Sequence, residues 1–291
     1  MLRGRRAGSC LILRRAIVSC GVMDTDSLIL QAEEALEAGD DNTATTIGQK
    51  LIELRNAYGF QILARACWLR DEKTKAIRTL QDGVEKAPHM WPLWQQLGDY
   101  WTEVGDAKRA RESYERVLAI PSTDDVARAH ALTELGRYGE AIAGAREALL
   151  DDPDAPADEK SRLLYSIAYA LWSQGEREGA LRAAWESAAL HPSNEDAMWL
   201  IREIEDRRSK KAVHFRMVIE GAMKARRFVV TCEVVADDEE EAKDLARRFE
   251  PEALRDKLLF DEIEKLASAG DLPKGVYYRS DYLFERRGKK K

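Results

Sequence analysis

The chain has 291 residues, of which 45% are hydrophobic and 34% charged, and it contains only eight prolines. This composition excludes collagen-like, disordered and disulfide-stapled proteins and is typical of a water-soluble, helix-rich protein. The length is enough for two domains of about 100–200 residues each, and no stretch approaches the roughly 18 apolar residues of a membrane span. We therefore expect no membrane association.

The charge is distributed unevenly along the chain. Residues 1–23 carry five arginines and no acidic residue, residues 24–211 carry 24 basic and 35 acidic residues, and residues 212–291 carry 17 of each. Because nucleic-acid binding depends on Lys and Arg neutralising phosphates, the acidic middle segment argues against a nucleic-acid partner. A basic protein surface would instead be attracted to it.

Residues 1–23 form a basic extension with short apolar patches. Arg14 and Arg15 interrupt the continuous apolar region that a secretory signal requires, and the pattern described below begins only after Met23. We interpret the segment as disordered or as a mis-assigned start. A lipoprotein signal ending at Cys20 and an organelle transit peptide are the alternatives that stay open.

The cysteines are few and scattered, at positions 10, 20, 67 and 232. They form neither a disulfide framework nor a C-x-x-C pair, which indicates a reducing compartment. The sequence therefore predicts a cytoplasmic protein.

One small residue recurs along the chain with nearly constant spacing. These anchors, separated by 32, 34, 31 and 39 residues, are Ala44, Ala76, Ala110, Ala141 and Ala180. A turn residue stands five positions before each anchor, and these are Gly39, Asp71, Gly105, Gly136 and Gly175. A second small residue stands twelve positions before each anchor, and an Asn or Pro follows eleven or twelve positions after it. The pattern predicts pairs of amphipathic helices, joined by tight turns, that approach each other at the small residues.

The unit that follows Pro88 resembles the tetratricopeptide repeat (TPR), whose pattern is W-x2-L-G-x2-Y…A-x3-F…P. The matching residues are Trp94, Leu97, Gly98, Trp101, Ala110 and Tyr114. The resemblance covers roughly residues 24–192 and implies a mainly α fold, a right-handed α-solenoid of about five helix-turn-helix repeats. Residues 193–211 predict a capping helix, because a repeat array needs a polar end.

From residue 212 the apolar period changes from helical to alternating. This predicts a β-hairpin with its turn at about 222–226, a helix that opens in the acidic run 237–240 and continues to about Phe249, a second helix from Pro251 to near Gly270, and a final strand from about 275 to 285. The order β-β-α-α-β implies a small α+β domain over 212–291, an antiparallel sheet covered on one face by helices, with a basic tail.

In TPR proteins the first helix of each pair lines a groove that commonly holds a partner's peptide or helix, and this resemblance assigns the candidate binding residues. They are Tyr58, Gln61, Arg65, Trp68, Gln95, Asp99, His130, Arg162, Tyr165, Tyr169 and Trp172. Tyr165, Tyr169 and Trp172 are spaced along one helical face and suit a binding hot spot if they are exposed. The alternative is that these three rings pack against a neighbouring helix.

No motif for catalysis, metal binding or a cofactor is present: the sequence has no P-loop, dinucleotide-binding or zinc-protease pattern, and its four histidines are dispersed. We therefore expect a non-catalytic interaction scaffold with no cofactor and no metal, which binds a peptide or helix of a partner protein. The acidic middle segment favours a basic partner segment. The alternative is a ligand site or an activity in the C-terminal domain, for which Tyr277, Tyr278, Arg279 and Asp281 are the residues to test. The third and weakest hypothesis is nucleic-acid binding through the basic tail. The partner's identity and the oligomeric state stay open.

Overall fold

A computed structural model describes residues 25–223 and 226–284 of the chain. The chain divides into two compact units, of which unit 1 ends at Arg137 and unit 2 begins at Tyr138. The division falls inside the fourth predicted helix pair. The predicted basic extension, 1–23, and the basic tail lie outside the described residues, and the predicted domain boundaries stay a prediction.

Unit 1 is helical throughout its described part. Its helices are α1 (Thr25–Glu37), α2 (Asp41–Glu53), α3 (Tyr58–Leu69), α4 (Lys73–Lys86), α5 (Trp91–Glu103), α6 (Ala107–Ala119) and α7 (Asp125–Glu134). Each helix packs on the next along the chain. The first three predicted helix pairs, α1/α2, α3/α4 and α5/α6, are therefore present.

The predicted turn residues end their helices in the left-handed conformation. Gly39, Asp71 and Gly105 of unit 1 have φ of 73°, 59° and 83°. At Gly39 the backbone closes with two hydrogen bonds, Gly39 N–H to Leu36 O and Asp40 N–H to Ala35 O, the pattern of a Schellman motif. The Asp40 side chain then caps α2 by accepting from the backbone N–H of Thr43. One short segment thus ends one helix and starts the next.

The small residues are buried where helices approach, as predicted. Ala32, Ala44, Ala64 and Ala76 are completely buried. At Gly98 of α5 a Cβ would lie 2.7 Å from the Tyr114 ring of α6, so only glycine permits this approach. The helix pairs and their contacts confirm the predicted helix-turn-helix repeats.

Unit 2 continues with helices and ends in a sheet. Its elements are α8 (Tyr138–Asp151), α9 (Ala157–Ser173), α10 (Arg177–Leu190), α11 (Glu195–Glu205), β1 (Val213–Met223), β2 (Arg226–Ala236), α12 (Glu239–Arg247), α13 (Glu252–Arg255), β3 (Leu259–Ser268), β4 (Gly275–Arg279) and β5 (Leu283–Phe284). The α9/α10 pair turns at Gly175, with φ of 92°.

The predicted capping helix is shorter than expected and is not a solvated end. Asn194 caps α11 through the backbone N–H of Ala197, and the helix ends at Asp206, whose φ is 43°. Both sides of α11 are covered, because it packs on α10 and on β4. Leu200 and Ile204 are accordingly buried.

The C-terminal sheet is antiparallel, with strand order β3-β1-β2-β4, and β5 pairs with β2. Phe215 pairs with Val234 and Met217 with Cys232, and all four side chains are buried. On the other face Arg216 pairs with Glu233 near solvent. The predicted small antiparallel sheet is confirmed, and helix α12 packs against its strands β2 and β4.

The predicted second helix of this domain is wrong beyond its first turn. Helix α13 has four residues, and residues 259–268 form strand β3. The apolar spacing of Leu259, Ile263 and Leu266 suggested a helix. Residues 259–268 instead pair with β1 on the side opposite β2. This pairing gives hydrogen-bond partners to the backbone N–H and C=O groups along that edge of β1. The predicted final strand is also divided, into β4 and β5, so that the element order is β-β-α-α-β-β-β.

Candidate functional site

The candidate binding residues of unit 1 lie on the first helix of successive pairs. We call Tyr58, Gln61, Arg65 and Trp68 of α3, Gln95 and Asp99 of α5, and His130 of α7 the unit 1 row. Every member is at least partly accessible, and Tyr58 is the most exposed, at 39%. The row is thus neither core nor fully solvated.

Arg65 and Trp68 bind the helices on either side of α3. The Arg65 guanidinium donates to the Glu33 carboxylate of α1. The Trp68 ring stacks on the Tyr100 ring of α5, with centroids 3.7 Å apart and planes 15° from parallel. Both side chains are therefore fixed in position by neighbours on adjacent first helices.

Asp99 and His130 form a hydrogen-bonded network with Tyr114. The Asp99 carboxylate accepts from the Tyr114 hydroxyl at 2.8 Å and lies 3.0 Å from His130 Nε2. The His130 and Tyr114 rings also meet edge to face, 5.8 Å between centroids. Burial, and then the charge of Asp99, raise the pKa of Tyr114, so this tyrosine stays a protonated donor.

Gln95 stands apart from these pairs. Its side-chain oxygen is buried and accepts no hydrogen bond from the described residues. A buried polar atom in a native protein normally has a partner. The Gln95 side chain therefore has a buried acceptor that no donor of the described residues satisfies.

Sequence reasoning missed the partners that hold the row. Glu33, Tyr100 and Tyr114 were not among the candidate binding residues, yet each fixes one of them. A signal was present for the first, because Glu33 and Arg65 are 32 residues apart, one repeat period, and so occupy equivalent places on neighbouring first helices.

The candidate residues of unit 2 lie on α9 and form an aromatic ladder. The Tyr165 and Tyr169 rings are 6.1 Å apart, those of Tyr169 and Trp172 are 5.9 Å apart, and Trp172 meets Trp199 of α11 edge to face at 5.6 Å. Tyr169 is only 8% exposed. Its expected exposure is wrong, because it lies between two other rings. The alternative that these rings pack against a neighbouring helix holds for Trp172.

Arg162 begins the same strip of α9. It is half-buried, and its Nε is buried without a hydrogen-bond partner among the described residues. Arg162, Tyr165 and Trp172 are the members of the strip that retain accessible surface.

The four residues proposed for a C-terminal ligand site do not converge. Arg279 is 2% exposed and paired with Glu250, while the Asp281 side chain is 76% exposed and near His191. Tyr277 donates to the Pro273 carbonyl, whereas Tyr278 is 41% exposed. Their side chains are therefore committed to different surroundings, and no single site contains them.

Within the described ranges, no group of three or more His, Cys, Asp and Glu side chains is arranged to hold a metal ion. No described helix is long and apolar enough to cross a membrane.

Comparison with known proteins gives likenesses of fold. No protein-family model matches the chain, and no curated protein matches it. MamA from Desulfovibrio magneticus RS-1 is 19% identical over 51% of this chain and 83% of that one, with a TM-score of 0.36. TPR-like repeats of a kinesin light chain from Podosopora anserina are 16% identical over 58% and 97%, with a TM-score of 0.41. YrrB, a TPR protein with an unusual peptide-binding site, is 17% identical over 60% and 91%, with a TM-score of 0.36.

Proposed function

We propose that this protein is a non-catalytic interaction scaffold that binds a peptide or helix of a partner protein along the unit 1 row. The observation that carries the proposal is that side chains join each first helix of unit 1 to the next. Arg65 bonds to Glu33, Trp68 stacks on Tyr100, and His130 bonds to Asp99. These contacts link α1 to α3, α3 to α5, and α5 to α7.

Such a row is organised before a partner arrives. Ordering a long side chain at an interface costs about 0.5–1.5 kcal/mol, and Arg65, Trp68 and His130 are already held in the free protein. Binding a partner segment at the unit 1 row would therefore cost less free energy for ordering side chains than binding at a surface whose side chains are free to move. Aromatic and arginine side chains are also the types that dominate binding hot spots.

Gln61 and Gln95 supply the polar contacts of the proposed site. Both side chains are partly accessible, although the Gln95 side-chain oxygen is buried and is not itself offered to the partner. An amide side chain can bond to the backbone N–H or C=O of an extended segment without regard to that segment's sequence. The row would thus hold the partner's backbone while the aromatic rings contact its side chains.

Charge favours a basic partner segment. Residues 24–211 carry 24 basic and 35 acidic side chains, and complementary charge speeds the encounter of two proteins and suppresses wrong partners. A cytoplasmic location, inferred from the cysteines, stays a prediction.

The test compares two glutamines, one on each helix of the same pair. Gln61 lies on α3 in the unit 1 row, and Gln81 lies exposed on α4. A photo-crosslinking amino acid is placed at either position of the full chain, and cross-linked peptides are identified by mass spectrometry in a lysate of cells that express the protein. We expect position 61, and not position 81, to capture one defined, basic segment.

The captured segment is then synthesised and its affinity measured by fluorescence anisotropy. Gln61→Lys should weaken binding about tenfold or more, because it places like charge against a basic segment, and Gln81→Lys should change it less than about twofold. Equal capture at both positions, or equal affinities of both variants, would show that the partner does not use the unit 1 row.

A further inference from the structure

An open cleft on unit 2 concentrates three arginines. Its volume is about 560 Å³, and it is lined by Arg177, Leu181, Ile204, Glu205, Arg207 and Arg248. The residues come from α10, from the end of α11 and the segment just after it, and from the residue after α12, so the cleft exists only where these segments meet.

Two of the arginines are held by one carboxylate. Arg248 donates to both Glu205 oxygens, at 2.5 and 3.2 Å, and Arg207 donates to Glu205 Oε2 at 2.7 Å. The Arg248 guanidinium also lies over the Trp185 ring, 4.5 Å from its centroid. Glu205 is only 14% exposed. These contacts fix the guanidinium groups without covering them, because the side chains of Arg207 and Arg248 remain 41% and 37% exposed.

The third arginine, Arg177, has no carboxylate partner in the described part of the chain. Within the described residues, the only hydrogen bond of the Arg177 guanidinium is a long one, 3.4 Å, to the Glu205 backbone carbonyl. A guanidinium has five N–H donors, of which Arg248 uses two and Arg207 one on Glu205. Most donors in the cleft are thus available to a ligand.

The cleft therefore carries an excess of positive charge. Three guanidinium groups face one carboxylate, and that carboxylate is ionised at neutral pH. Burial opposes its ionisation, but hydrogen bonds and charges from Arg248 and Arg207 outweigh burial and lower the pKa of Glu205. A monocarboxylate ligand would neutralise half of this excess, whereas a phosphate monoester carries about −1.5 to −2 at pH 7 and neutralises nearly all of it.

We propose that the arginine cleft binds a small phosphate monoester, with the phosphate on Arg177, Arg207 and Arg248 and the organic part against Leu181 and Ile204. Arginine forks match phosphate oxygens two at a time. The proposed site is separate from the unit 1 row and does not depend on it.

Phenyl phosphate and inorganic phosphate are the probes, with benzoate as the carboxylate of similar shape. Their affinities for the full chain are measured by isothermal titration calorimetry at pH 7.5 and constant ionic strength. We expect saturable binding of both phosphates, tighter for phenyl phosphate because its ring contacts the apolar wall, and weak binding of benzoate. Benzoate binding as tightly as phenyl phosphate would overturn the phosphate assignment, and equal affinities of the two phosphates would overturn the monoester assignment.

A matched pair of variants locates the site. Arg177 and Arg182 are both exposed residues of α10, but only Arg177 lines the cleft. Arg177→Gln should lower the affinity for phenyl phosphate about tenfold, the usual worth of a charge-assisted hydrogen bond, and Arg182→Gln less than about twofold. Equal losses in the two variants, or no saturable binding to the parent chain, would refute the proposal, and circular dichroism verifies that both variants fold.

Discussion

A buried ion pair in the C-terminal domain offers the sharpest test of what stabilises this part of the fold. The Glu250 and Arg279 side chains are 0% and 2% exposed, and Arg279 donates to Glu250 Oε1 from Nε at 2.9 Å and from Nη2 at 2.7 Å. The Tyr282 hydroxyl donates to the other carboxylate oxygen at 2.6 Å. The pair thus joins the segment after α12 to the end of β4.

The perturbation is Glu250→Gln, which preserves shape and removes charge. The Arg279 guanidinium is then left buried without a counter-charge, because the amide oxygen introduced at position 250 and the Ser280 carbonyl can still accept its hydrogen bonds but carry no net charge. Breaking a buried pair from one side costs about 3–5 kcal/mol. With an m-value of about 2 kcal/mol/M, the urea midpoint of this domain should fall by about 1.5–2.5 M.

The assay is urea unfolding monitored by hydrogen exchange. Peptides from β2 and β4 are analysed, so that unfolding of the C-terminal domain is observed by itself. The control is Glu233→Gln on the exposed face of the same sheet, where Glu233 pairs with Arg216 and the side chains are 31% and 50% exposed. Exposed pairs are worth about 0–1 kcal/mol, so this variant should barely move the midpoint.

A second variant distinguishes destabilisation by an unpaired buried charge from destabilisation by poorer packing. Replacing both partners, Glu250→Leu with Arg279→Met, should recover most of the lost stability, since apolar pairs of similar volume often match a buried ion pair. A loss below about 1 kcal/mol in Glu250→Gln, or no recovery in the double variant, would refute the reasoning.

Two further predictions concern packing and pH. Gly98→Ala should lower the free energy of unfolding in urea by about 1–3 kcal/mol, since its Cβ would meet the Tyr114 ring at 2.7 Å. Gly144→Ala, in the interior of α8 with nothing within 4 Å, should raise the same free energy by up to about 1 kcal/mol. Similar effects of the two changes would contradict the close approach of α5 and α6 at Gly98. Because the pKa of Glu205 is lowered from 4.5 in the folded protein, its stabilisation is present above pH 4.5 and is lost as pH falls through the folded pKa. The difference in urea midpoint between the parent and Glu205→Gln should therefore be largest near pH 7 and become smaller as the pH falls below 4.5. A constant difference would show that the arginines do not act through the ionised carboxylate.

The sequence by itself determined the repeat architecture. The left-handed turns at Gly39, Asp71 and Gly105 and the buried alanines followed from spacing, because a helix end and a close helix contact each require a particular residue type at a particular place. The β1/β2 hairpin followed from the alternation of apolar and polar residues, because successive side chains of a strand point to opposite faces of the sheet. Both signals are local, and the structure preserves them.

Tertiary structure decided what depends on residues far apart in the chain. Residues 259–268 have the apolar spacing of a helix but form β3, since pairing with β1 satisfies the backbone hydrogen bonds of both strands. The apolar spacing of a segment carries no information about such a partner. Tyr169 has the spacing of an exposed strip but is buried between two rings. The arginine cleft joins Arg177 to Arg248, 71 positions apart in the sequence. The spacing and type of residues predict which face of a helix is apolar. Only the packing of the folded chain determines which neighbouring element covers that face and which charged side chains come together.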